Sequence, residues 1–160
     1  MGKDNTYDKR KTTRLILVSL MVLYACLVAY WMLFGFGRTL SPIYRFNAIP
    51  FLTLFGILTD NRTTLAYKAV NLVGNIGVFM PFGMSAAAAT RGRVSKSYSA
   101  FFFAIFGFEI VQCLSRRGAF DIDDIILNSI GFLSGFAAVA VIQRKTGGSR
   151  IGAAVGTPKR

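Results

Sequence analysis

The sequence predicts an all-α integral membrane protein: a bundle of four transmembrane helices, with an interfacial or re-entrant helix between spans one and two. Three observations carry the prediction. Hydrophobic residues make up 53% of the 160 residues, more apolar surface than a soluble domain of this size can cover. They come in long uncharged blocks, the pattern of membrane spans. The basic residues that give the net charge of +12 gather mainly at the two ends and in one loop, as topology signals do.

Residues 1–14 form a basic N-terminal segment containing Lys3, Lys9, Arg10, Lys11 and Arg14. From Leu15 to Gly37 the chain then runs 23 residues without a charge. A helix crossing the hydrocarbon needs about 20 such residues. A secretory signal has a shorter apolar core and a small-residue cleavage site, so this run reads as an uncleaved first span. Arg38 to Lys68 is less apolar and is broken by Pro42 and Pro50. Its apolar stretch Phe51–Leu58 is too short to cross and reads as the interfacial or re-entrant helix.

The second span covers Ala69–Ala89, with Pro81 inside it, which neighbouring membrane helices tolerate. The third covers Tyr98–Leu114 and carries Glu109. The fourth covers Ile125–Gln143, where Gly131 and Gly135 form a GxxxG pair suited to close helix contact. Residues 144–160 make a basic, glycine-rich tail expected to be disordered. The domain is therefore residues 15–143, flanked by basic ends.

Four spans put both termini on one side. That side carries thirteen of the Lys and Arg residues and the other carries six: Arg38, Arg45, Arg62, Lys68, Arg116 and Arg117. The positive-inside rule places both termini in the cytoplasm of a multi-pass plasma-membrane protein. Most of the positive charge is thus topological. No basic-aromatic platform lies outside the apolar blocks, so nucleic acid is not an expected partner. Cys26 and Cys113 sit inside apolar blocks and read as packing residues. The chain has no histidine, which removes Ser-His-Asp and Cys-His nucleophilic systems and histidine-based metal sites.

On this topology nearly all polar residues tied to spans two to four fall in the outer half of the membrane. Asn71 and Asn75 share one helix face, as do Glu109, Gln112 and Arg116, and again Asp124, Asn128, Gly131 and Gly135. Glu109 lies five residues before Leu114, roughly 8 Å below the end of its helix. A carboxylate at such depth is read as functional, with a named partner. The expected partners are Arg117 or Arg116, with Asn75 and Asn128 donating hydrogen bonds. The plainer readings are interhelical hydrogen bonding for Asn71, Asn75 and Asn128, and helix capping by Asp123 or Asp124 with Asp121 nearby.

These residues form a wider pattern: Asn47-x-x-Pro50-Phe51, Asn71-x-x-x-Asn75-x-x-x-Phe79-x-Pro81-x-Gly83, Glu109-x-x-Gln112, and Asp121-x-Asp123-Asp124-x-x-x-Asn128-x-x-Gly131-x-x-x-Gly135. In their order and spacing the chain resembles the VanZ-like family of bacterial membrane proteins. One departure stands out: an arginine often found three residues before the first aspartate is here Gly118, with Arg117 one position earlier. The resemblance implies an association with reduced susceptibility to teicoplanin and related lipoglycopeptides.

The favoured expectation is a non-enzymatic protein without a cofactor. Its outer cleft, lined by Asn71, Asn75, Glu109, Gln112, Arg117, Asp121, Asp123, Asp124 and Asn128, would take a lipid head group or lipidated ligand. Phe residues of span three and the Phe51–Leu58 segment would hold the acyl part. The alternative is an enzyme acting on a lipid-linked envelope substrate, with the acids holding Mg²⁺ or Mn²⁺. A third reading makes the polar core purely structural.

Overall fold

The computed structural model describes residues 2–35, 38–90 and 93–154. Five helices and two short strands follow in the order α1 (Gly2–Phe34), β1 (Arg45–Asn47), α2 (Leu52–Thr59), α3 (Leu65–Thr90), α4 (Val94–Leu114), β2 (Ala119–Asp121) and α5 (Ile122–Ala154). Four of the helices contain stretches long and apolar enough to cross a membrane: Leu15–Phe34, Leu65–Thr90, Val94–Leu114 and Ile122–Lys145. The architecture is the expected helical bundle. α5 runs past its span through residues 144–154, where the sequence reading expected no order. A helix already nucleated in the span extends at little cost, one hydrogen bond per added residue. Residues 155–160 of that tail lie outside the described residues.

The bundle is built around the α3–α5 pair. A methyl group added at Gly131 or Gly135 of α5 would overlap the carbonyls of Ile76 or Met80 of α3. One added at Gly83 of α3 would overlap the carbonyl of Phe132. The two backbones touch because both surfaces lack side chains there, which is how small residues associate helices in lipid. Around this contact lie two apolar clusters. One joins Phe79, Ile105, Phe120 and Ile125, and the other joins Ala87, Phe132 and Phe136. The Phe101 ring of α4 stacks on Phe132 at 4.4 Å and locks α4 to the pair.

α1 is the peripheral helix. Only 6% of its span is buried, against 44% for α5. Its polar ties include the Tyr24 hydroxyl donating to the Val78 carbonyl (2.9 Å) and the Gln112 amide donating to the Met32 carbonyl (2.7 Å). A space therefore remains between α1 and α3.

One feature had no sequence signal. β1 pairs in parallel with β2, matching Arg45 to Ala119, Phe46 to Phe120 and Asn47 to Asp121. The Phe46 and Phe120 rings stack at 4.8 Å. This pairing fixes the loop after α1 onto the α4–α5 connection, at the end of the bundle where α1 and α4 finish and α3 and α5 begin. α2 is held to the same end and buries none of its residues within the protein.

Candidate functional site

α4 ends in an exposed turn that the chain closes on itself. Arg116 adopts a left-handed conformation (φ 55°), and Gly118 donates its amide to the Gln112 carbonyl at 3.2 Å. This reversal brings β2 back over the last turns of α4, where Glu109 and Gln112 are 0% and 2% exposed. Glu109 Oε2 accepts the Asp121 amide at 3.2 Å.

α5 begins immediately after β2, and its cap is Asp121. Asp121 Oδ1 accepts the Asp123 amide (3.0 Å), the usual bond from a capping side chain to the second helical residue, and also Asn47 Nδ2 (3.2 Å). The sequence reading placed that cap at Asp123 or Asp124. Asp123 instead turns to α2, receiving the Phe51 amide on Oδ1 and the Leu54 amide on Oδ2 (2.9 Å). It satisfies the N-terminus of a helix far away in sequence, and it holds Phe51 in a left-handed conformation (φ 66°). Asp124 points the other way, accepting Asn75 Nδ2 at 2.8 Å. Three adjacent acids thus serve three different elements.

Two larger cavities, and a third of about 140 Å³ beside α2, share this polar end. The larger, about 610 Å³, lies between α1 and α3 and reaches Glu109, Gln112, Asp124 and Asn128. Tyr24, Leu27, Val28 and Trp31 of α1 and Val70, Val78 and Phe79 of α3 give it an apolar flank, and Asn71 and Asn75 also line it. The smaller, about 340 Å³, is lined by Arg38, Arg45, Arg117, Asp121 and Asp124. Both volumes fall within the ordinary range for small-molecule sites.

Six of the nine expected site residues, Asn71, Asn75, Glu109, Gln112, Asp124 and Asn128, meet in the groove, and Arg117 and Asp121 line the adjacent pocket. Asp123 lines neither, but lines the third cavity together with Asn71, Asn75, Asp121 and Asp124. The span-three phenylalanines, expected to hold the acyl part, do not line the groove. Phe101 stacks on Phe132 and Phe106 packs edge-on to Phe120 (5.6 Å), so these rings serve the core or its edge while α1 and α3 wall the groove.

The expected pairing of Glu109 with Arg116 or Arg117 is also replaced. Arg117 lies over the Phe34 ring at 4.5 Å and Arg116 over Tyr44 at 5.9 Å. The cation whose field acts on both Glu109 and Asp124 is Arg38, which lines both cavities. Its guanidinium fills the space a side chain at Gly118 would need, and its Nη1 donates to the Arg117 carbonyl at 3.4 Å. Sequence reasoning counted Arg38 only as a topology signal. Its one distinguishing mark was its place as the first charge after span one.

Two fully buried acceptor atoms of the groove residues have no hydrogen-bond partner among the described residues: Glu109 Oε1 and Asn128 Oδ1. A buried polar atom without a partner costs about 1–3 kcal/mol. Among the described residues, no group of three or more acidic or cysteine side chains is arranged to hold a metal ion.

The fold and this polar end define a multi-pass helical membrane protein with a cleft between its first and second spans. The chain belongs to the VanZ/LLP1 family, which matches residues 21–143 and so includes every element that builds the cleft. No curated protein and no solved structure matches it.

Proposed function

We propose that this protein binds a membrane lipid or lipidated ligand from the outer leaflet. The head group sits at the polar end of the cleft and the chain lies in the groove between α1 and α3. The observation that carries this reading is the groove itself: one cavity has a hydrocarbon flank on α1 and α3 and a polar end lined by Asn71, Asn75, Glu109, Gln112, Asp124 and Asn128. A soluble polar molecule would gain nothing from the flank, and a plain hydrocarbon would gain nothing from the polar end. The outer-face orientation follows from the excess of Lys and Arg near both termini. Exposed apolar residues on α2, Leu52, Phe55 and Leu58, suit a helix seated at the membrane surface beside the cleft.

Through its family the protein is further proposed to reduce susceptibility to teicoplanin-type glycopeptides, whose acyl chain gives the groove something to hold. The test is susceptibility of a sensitive host expressing wild type, Glu109→Gln or Asn128→Ala at matched membrane abundance, with a glycopeptide lacking an acyl chain as control. Protection by wild type alone, and only against the acylated drug, supports the reading. Equal protection against both drugs contradicts a role for the groove.

A further inference from the structure

We propose that the ligand of the cleft bears a phosphoryl group, held in the smaller pocket by Arg38, Arg45 and Arg117 while its chain lies in the α1–α3 groove. This rests on the lipid-binding reading above and names the chemical class of its head group.

The three arginines come from three separate segments. Arg38 follows α1 and fits the space left by Gly118. Arg45 is set by strand β1, in register with Ala119. Arg117 follows the left-handed turn at Arg116. They nevertheless line one cavity of about 340 Å³. A solvated basic run would place its charges along one segment, whereas here the fold gathers them.

Each acid on the same wall has its Oδ1 engaged inside the protein. Asp121 accepts the Asp123 amide and Asn47, and Asp124 accepts Asn75. Among the described residues neither bonds an arginine side chain; the Arg38 guanidinium bonds a backbone carbonyl and that of Arg117 rests on a ring. Three arginines from separate segments lining one pocket suit a phosphoryl group, which offers oxygens on several sides, better than a carboxylate, which one bidentate arginine satisfies. The pocket is continuous with the groove through Arg38 and Asp124, which line both. A phosphoryl group at the arginines therefore has an apolar channel beside it.

The test is native mass spectrometry of the full chain in an uncharged detergent, with three probes: dioleoyl phosphatidic acid, dioleoylglycerol and inorganic phosphate. The expected result is one retained phosphatidic acid, bound at least about tenfold more tightly than dioleoylglycerol. Arg38→Gln and Arg45→Gln each weaken it by about tenfold, as expected for one lost charge-assisted hydrogen bond. Arg62→Gln, an exposed arginine lining neither cavity, leaves it unchanged. Equal retention of phosphatidic acid and dioleoylglycerol overturns the phosphoryl assignment and leaves the lipid reading standing. Binding of neither lipid overturns both. Inorganic phosphate bound as tightly as phosphatidic acid makes this a free-anion site and overturns the lipid form. An equal loss in Arg62→Gln reduces the binding to diffuse surface charge and overturns the site.

Discussion

The carboxylate of Asp123, in the first turn of α5, receives the backbone amide of Phe51, 72 residues earlier in the chain. A second bond to Leu54 completes the cap of α2. The acid therefore fastens the segment between the first two spans to the start of the last one, beside the β1–β2 pairing.

Replacing Asp123 with Ala removes both bonds and is expected to cost about 1–2 kcal/mol, the upper range for loss of a helix cap. Asp123→Asn keeps one acceptor oxygen and is expected to lose less. The check is thermal unfolding in detergent. A lower midpoint is expected for both variants, Ala below Asn, and the Ala variant is further expected to expose residues 45–54 to protease.

Gly131 and Gly135 have no room for a side chain against α3. Gly131→Ala is expected to cost about 1–3 kcal/mol by forcing the helices apart. Gly135→Val is expected to cost more. Ala at Gly107, where a Cβ meets nothing within 4 Å, should be neutral or slightly stabilising. Comparing the monodisperse fraction and unfolding midpoint of the three variants checks this order.

Glu109→Gln preserves shape but puts an amide where the groove offers a carboxylate. Ligand affinity is expected to fall by about tenfold, the loss of one hydrogen bond, at unchanged abundance. If the polar end served packing alone, abundance and affinity would fall together.

Orientation is checked by thiol labelling in a background with Cys26 and Cys113 replaced by Ala. A membrane-impermeant reagent is expected to reach Thr39→Cys on intact cells and Ser95→Cys only after permeabilisation. The reverse pattern would put the cleft on the cytoplasmic side.

Much of the architecture was written in the sequence because lipid leaves few choices. An uncharged run the length of the hydrocarbon must be a helix, and Gly131 and Gly135 on one face must mark a contact. The convergence of Glu109, Asn75, Asp124 and Asn128 followed from helix spacing and alternating span direction. What escaped depends on the loops. Three-residue strands carry too little periodicity to be recognised, and nothing local to Asp123 says that it caps another helix. Arg38 was missed because its role comes from the space at Gly118, which exists only once the α4–α5 turn has folded. The groove flank was misplaced to span three because phenylalanine content reports burial and lipid exposure alike; how far α1 stands from α3 is a packing outcome.

Trp31 is the chain's single tryptophan, and it lines the groove. The most direct measurement titrates a phospholipid brominated in its acyl chains into the protein in unbrominated detergent and follows Trp31 fluorescence. Occupancy of the groove gives saturable quenching whose midpoint moves to higher lipid in Glu109→Gln. Quenching that rises in proportion to lipid mole fraction, identically in both proteins, would mean that the lipid only surrounds the helices, contradicting a bound ligand in the cleft.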